Sequence, residues 1–158
     1  MGRSFPYYAL LIAVLIWCGA IVMPPLAASS QPLISRVGYR FFALLCHQED
    51  ARSLHLLGYP LAVCARCSAI YFGFFFGIIL SPFFSPGVAS FPRLAWVIAI
   101  MPMLLDVGAD VIGVHASSLG TRIASGAFFG AASALILTPY LIGLYRRNQP
   151  SARNELKT

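Results

Sequence analysis

The chain has 158 residues, of which 59% are hydrophobic and only 10% charged, and its net charge is +6. Soluble chains hold about 45–50% apolar residues; the mean hydropathy here is +0.79, and uncharged runs reach about 20 residues, the length of a membrane span, which excludes a small water-soluble domain. The basic residues sit at the ends of apolar runs and in the tail, the positive-inside and headgroup pattern, and no basic stripe or recognition motif joins them, which excludes nucleic-acid binding.

The expected architecture is one all-α integral membrane domain over residues 1–158, with about four transmembrane helices and one interfacial amphipathic helix. The first apolar run, about 7–28, follows Arg3 and carries Pro24-Pro25 near its end. Leu26-Ala27-Ala28 resembles a signal-peptide cleavage site. The run is longer than a signal core, so a retained span is the favoured reading. Cys18 within it reads as a small apolar filler.

Residues 32–46 follow, with Leu33, Ile34, Val37, Phe41, Leu44 and Leu45 at helical spacing and Arg36 and Arg40 one turn apart on another face. This segment is too short to span and too charged to be buried, which suits a helix lying at the interface. Glu49 to Val63, with Gly58 and Pro60, reads as a loop. Further spans are expected at about 67–84, 94–113 and 121–145, and residues 148–158 form a polar tail. Gly73-Phe-Phe-Phe-Gly77 and Gly126-Ala-Phe-Phe-Gly130 are Gly-x-x-x-Gly patterns that permit close helix approach. Packing within the chain is preferred over a dimer face; the oligomeric state is open.

Four spans put both termini on one side, with a slight bias toward the cytoplasm. They also put the start of the second span, the end of the third and the start of the fourth on one face. That face collects Cys64, Cys67, Asp106, Asp110, His115, Ser117, Ser118 and Arg122.

Three of the 4 cysteines and two of the 3 histidines lie between Cys46 and Cys67. Cys-x-x-Cys is a chelating step for zinc or another transition metal, and Cys46, Cys64 and Cys67 with His47 or His55 would make a four-ligand set. The same dithiol also suits thiol–disulfide or quinone-linked redox chemistry, with Arg66 lowering a thiol pKa. A structural disulfide and plain buried cysteines remain open beside these.

Asp106 and Asp110 stand at i and i+4 on one helix face. A charge inside a span costs about 2.5–3.5 kcal/mol, so they need partners, and Arg122 is the natural counter-charge. They read either as a bridge fixing the helices or as acid/base carboxylates beside the cysteines. Arg52, Arg66 and Arg122, with Arg36 and Arg40 nearby, suit a lipid or anionic small-molecule substrate, or ordinary headgroup contacts.

The residues Cys46-His47-Gln48, Arg52-Ser53, Pro60-Leu61, Cys64-Ala65-Arg66-Cys67 and Ile70-Tyr71-Phe72-Gly73 resemble the motif of DUF2085, a family of small bacterial and archaeal membrane proteins. A second family motif is similar to Asp106, Gly113, Ser117, Arg122 and Gly126. Here Val107, Asp110, His115 and Ser125 stand where the family pattern has Gly, Gln, Arg and Thr. The resemblance runs from Arg40 to Gly130. It implies a prokaryotic cell-membrane protein and ranks His47 above His55 as a ligand, but it implies no activity.

The leading expectation is a membrane protein with a zinc site on Cys46, His47, Cys64 and Cys67. It would act on a lipid or membrane-embedded substrate through Asp106, Asp110 and Arg122. The alternatives are a thiol oxidoreductase using Cys64 and Cys67, and a noncatalytic transporter or scaffold.

Overall fold

The computed structural model of the protein describes residues 5–83, 92–113 and 118–147. Among the described residues there are five α-helices: α1 Phe5–Ala27, α2 Pro32–Ala43, α3 Ala65–Leu80, α4 Pro92–Val111 and α5 Leu119–Arg147. Four of them, all but α2, are long and apolar enough to cross a membrane. The protein is an all-α integral membrane protein. His115 and Ser117 lie outside the described residues.

Helices α3 and α5 form the central pair, and glycine sets their separation. A Cβ on Gly126 would lie 2.7 Å from the Arg66 carbonyl oxygen, and one on Gly77 would lie 2.7 Å from that of Ala131. Gly73 against Ala127 and Gly130 against Ile70 leave still less room. Real Cβ atoms do not approach this closely, so each contact requires glycine. One turn along α3, from Arg66 to Ile70, matches one turn along α5, from Gly126 to Gly130. The two helices therefore run parallel, and both Gly-x-x-x-Gly patterns serve packing within the chain.

Helix α4 leans on α5, and only 6% of its span is buried; Leu94, Val97, Ile98, Leu104 and Leu105 are exposed toward the surrounding apolar phase. Helix α1 packs on α2 and α3. Its Pro24-Pro25 pair sits in the last turns without ending the helix; the Pro24 carbonyl accepts a hydrogen bond from the Ser35 hydroxyl at 2.9 Å, and the Ile21 carbonyl, which Pro25 leaves without a helical donor, accepts from the Ala62 backbone N–H at 3.4 Å.

Helix α2 has three faces. Ser35 and Phe42 are buried against the bundle, whereas Leu33, Val37, Phe41 and Leu44 are exposed and Arg36 and Arg40 face outward. An apolar stripe beside a basic one is what an interface-lying helix requires.

The segment expected to be a plain loop has more order than its sequence suggests. It contains a 3-10 turn at Asp50–Arg52 and a small antiparallel hairpin, β1 His55–Leu56 with β2 Tyr59–Pro60. Leu57 and Gly58 make the reversal with positive φ. Behind it, Ile21, Phe42, Leu61, Ala62 and Val63 form a buried cluster bordered by Trp17, Tyr39, Cys46, Cys67 and Tyr71. Trp17 meets Phe42 and Tyr71 edge-to-face at centroid separations of 5.6 and 5.8 Å, the favoured aromatic geometry. This cluster joins α1, α2 and α3 directly beneath the cysteines.

The glycine contacts predict a sharp contrast between two alanine variants. Gly130→Ala forces a Cβ against the Ile70 backbone and should cost about 1–3 kcal/mol, read as loss of stability in reversible unfolding in mixed micelles. Gly19→Ala, with nothing within 4 Å of its Cβ, should be neutral. Equal effects would show that the close approach does not hold the pair together.

Candidate metal centre and its ion-pair wall

The Cys46, Cys64 and Cys67 sulfurs all lie within 4.8 Å of one another. Two come from one helical turn. Cys64 is the N-cap of α3 and Cys67 lies in its first turn. The third comes from the far end of α2, where the Cys46 backbone N–H still donates to the Phe42 carbonyl at 3.0 Å.

The chain between them is folded back by specific hydrogen bonds. Gln48 has a φ of 47°, in the left-handed region that non-glycine residues rarely occupy. From there its side-chain amide donates to the Tyr39 and Ala62 carbonyls, each at 2.7 Å. The Tyr39 hydroxyl donates to the Pro60 carbonyl at 2.6 Å. The Ser53 hydroxyl donates to the Glu49 carbonyl and the Ser68 hydroxyl to the Val63 carbonyl. These bonds bring Cys46 back against the start of α3, where the Cys64 backbone N–H donates to its sulfur at 3.3 Å.

This setting suits thiolates. The N-terminal end of a helix carries partial positive charge. The Cys67 side chain hydrogen-bonded to Cys64, together with the backbone N–H groups of Cys67 and Arg66 and the Cys46 side chain, lowers the Cys64 pKa to about 5 against the opposing effect of burial. A metal holding thiolates at about 2.3 Å places sulfurs about 3.8 Å apart, so the three sulfurs need to close by about 1 Å at most. All four cysteines of the chain are free. Cys18 stands apart, buried in α1 with its sulfur 3.7 Å from the Tyr71 carbonyl.

The two histidines are placed differently. His47 is exposed and falls outside the tight sulfur group, but it lines the same cavity. His55 sits on β1 with Nε2 3.0 Å from Asp50 Oδ1, and it does not line that cavity. The hairpin fixes this difference, which residue spacing leaves open.

The carboxylates each find a guanidinium, but not as expected. Arg122 serves only one of them, with its Nη2 3.1 Å from Asp110 Oδ2. Asp106 is paired with Arg66 and also accepts from the Ser125 hydroxyl at 3.3 Å. Two crossed helix-to-helix pairs therefore tie α4 to α3 and to α5. Their side chains are 9–22% exposed. Such pairs persist in a span because each charge is matched.

A cavity of about 450 Å³ opens beside the sulfurs. Cys46, Cys64 and Cys67 line it together with His47, Gln48, Glu49, Arg52, Arg66 and Arg122, and Leu45, Ile70 and Met103 supply apolar wall. Expected site residues Cys46, His47, Cys64, Cys67 and Arg122 thus meet at one cavity. Asp106 and Asp110 stand behind it, each bound to an arginine of its wall. The structural parts of Gln48 and Ser125 were not read from the sequence. Gln48 lies within the Cys-His-Gln motif, and Ser125 lies one turn from Arg122.

A polytopic helical membrane protein with three clustered thiols at one face is the class that this fold and site define. The chain matches the model of the family described as predicted membrane protein, DUF2085, over residues 46–136, and it belongs to that family. The match begins on the first thiol of the cluster and extends well into α5. The chain is also 31% identical, over 141 residues, to an uncharacterized protein of Methanocaldococcus jannaschii, covering 84% of this chain and 90% of that protein. No solved structure matches it.

The crossed pairs can be tested by a double-mutant cycle. Arg66→Gln leaves the Asp106 carboxylate without its counter-charge and should lower stability by about 2 kcal/mol, near the insertion cost of one charge. Adding Asp106→Asn should restore most of that loss in the same unfolding assay. Strictly additive losses would mean that the two side chains are not coupled.

Proposed function

We propose that the protein is a zinc-binding membrane protein in which Cys46, Cys64 and Cys67 supply thiolates and His47 supplies the fourth ligand. The observation that carries this reading is the convergence of three sulfurs within 4.8 Å from two separate elements. The donor set is rich in soft thiolates, which favours zinc over hard cations. His47 directly follows Cys46 and shares the cavity wall.

A filled four-ligand shell makes the metal a clasp rather than an open Lewis acid. It fastens the end of α2 to the start of α3 and fixes the arginine-bearing wall of the cavity. Chemistry on a membrane-embedded substrate then falls to that wall and to the carboxylates paired behind it. Asp106, hydrogen-bonded by Ser125, is the acid/base group. Arg122 is the anion anchor, and Asp110 orients it.

The expected outcome is one zinc per chain in protein purified without added metal, measured by elemental mass spectrometry. Cys64→Ser should lose it while the protein stays folded by circular dichroism. A metal-free protein that cycles between a Cys64–Cys67 disulfide and two thiols would overturn the reading in favour of a membrane thiol oxidoreductase.

The termini are proposed to face the cytoplasm and the thiol cavity the opposite side. Arg66 and Arg122 are nearly buried in ion pairs, and Arg52 is bound to Glu49 at 3.0 Å. On the cavity face this leaves Arg36 and Arg40 as the outward-facing basic pair of α2. In the sequence, Arg3 precedes α1, Arg93 stands at the start of α4, and Arg146, Arg147, Arg153 and Lys157 stand at or after the end of α5, a basic excess that favours retention of the termini in the cytoplasm. Leu57 is 74% exposed at the hairpin tip. Leu57→Cys should therefore gain one maleimide label over wild type in intact cells, using an impermeant reagent. A gain seen only after lysis would reverse the orientation.

A further inference from the structure

A second hollow lies across the ion-pair wall from the thiol cavity. It is a groove of about 530 Å³ between α4 and α5, lined by Pro102, Asp106, Thr121, Ala124, Ser125 and Phe128. The two hollows share a partition. Arg66 lines the cavity and its partner Asp106 lines the groove. Consecutive residues also divide between them, with Pro102 on the groove and Met103 on the cavity, and Thr121 on the groove and Arg122 on the cavity.

We propose that cavity and groove form one site for a phosphate-headed membrane lipid. The head lies in the cavity among Arg52, Arg66 and Arg122, and the hydrocarbon follows the groove along Pro102, Ala124 and Phe128. The inference rests on the same cavity as the zinc reading, but not on the metal itself.

Guanidinium donors select the head. Three guanidiniums, Arg52, Arg66 and Arg122, line the cavity. Each is held by a carboxylate, respectively Glu49, Asp106 and Asp110, so the cavity presents oriented donors rather than a net positive field. Guanidinium planes bind phosphate oxygens by paired hydrogen bonds. Arg66 spends Nη2 on Asp106 while its side chain lines the cavity, and a guanidinium carries five N–H donors, more than that one contact uses.

The groove selects the tail. Its wall is apolar apart from Asp106, Thr121 and Ser125. Asp106 is neutralised by Arg66 and hydrogen-bonded by Ser125, so an acyl chain meets an ion pair rather than a bare charge. The hydroxyls of Thr121 and Ser125 already donate, to the Ser118 carbonyl and to Asp106, so the groove wall meets the chain with its donors satisfied. Phe128 is exposed, as are Leu104 and Leu105 of α4, so a chain enters sideways from the bilayer. Each hollow falls in the usual size range of ligand pockets, about 300–1,000 Å³.

The test is native mass spectrometry of the full chain in nonionic detergent, titrated with dilauroyl phosphatidic acid, with dilauroylglycerol, and with inorganic phosphate as competitor. Phosphatidic acid should bind about tenfold more tightly than the diacylglycerol, the increment expected from charge-assisted hydrogen bonds to one head. Arg52→Gln, at an exposed position, should weaken it severalfold. Ala124→Phe, which fills the groove, should abolish lipid binding while inorganic phosphate still binds.

Equal retention of phosphatidic acid and diacylglycerol would overturn the proposal. So would phosphatidic acid binding unchanged in Ala124→Phe, which would identify a site for free phosphate alone. Zinc content is read in the same spectra. Zinc-loaded protein that ignores phosphatidic acid sinks only the lipid site, whereas zinc-free protein that binds it sinks only the metal reading.

Discussion

The close parallel approach of α3 and α5 is the constraint on which the rest of the structure depends. Four glycines place backbone against backbone, at Gly73, Gly77, Gly126 and Gly130. In a bilayer, burying apolar surface between helices gains little, because lipid tails are equally apolar; dense packing must do the work. The same contacts set the rotation of α3 about its axis. Gly126 rests on the Arg66 carbonyl, in the middle of the Cys-x-x-Cys turn. The position of that turn relative to α5, and so to Arg122, is therefore fixed by a glycine rather than by the polar residues themselves.

With α3 and α5 locked, α4 is held in another way. Little of its surface is buried, and the Arg66–Asp106 and Arg122–Asp110 pairs are its polar ties to the central helices. Charged pairs are poor sources of stability in water, but inside a span the alternative to pairing is an unmatched charge, which is costly. The pairs thus specify where α4 sits more than they add cohesion. They also prevent the two carboxylates of α4 from facing each other across one site, since each is drawn to a different helix.

Much of this was legible in the sequence because it depends on local pattern. Apolar length marks the four spans, Cys-x-x-Cys marks the chelating turn, and alternating faces mark α2. The assignment of carboxylates to arginines was not legible. Asp106 and Asp110 share one helix face, and the choice between Arg66 and Arg122 depends on helix rotations that the glycine contacts impose. Nor was the separation of the histidines, because a two-residue hairpin carries His55 to Asp50 and leaves His47 at the cavity. Gln48 read as part of a motif without a task. Its left-handed backbone and paired carbonyl contacts show that a polar motif residue can be an internal fastener.

The wall between cavity and groove gives these separate features a common consequence. Arg66 is tied by sequence to the thiols and by charge to Asp106, so a change on one side of the wall is felt on the other. A metal drawing Cys64 and Cys67 together would reposition the turn that carries Arg66, and a ligand taking hydrogen bonds from Arg66 would compete with Asp106. Asp110 tempers the same competition at Arg122. An uncharged partner there would leave the guanidinium with its full charge facing the cavity, whereas a carboxylate offsets part of it and holds the side chain in one orientation. The charge of each cavity arginine is thus offset by a carboxylate beside or behind it, and what the cavity presents is set by the orientation of the guanidiniums more than by net charge.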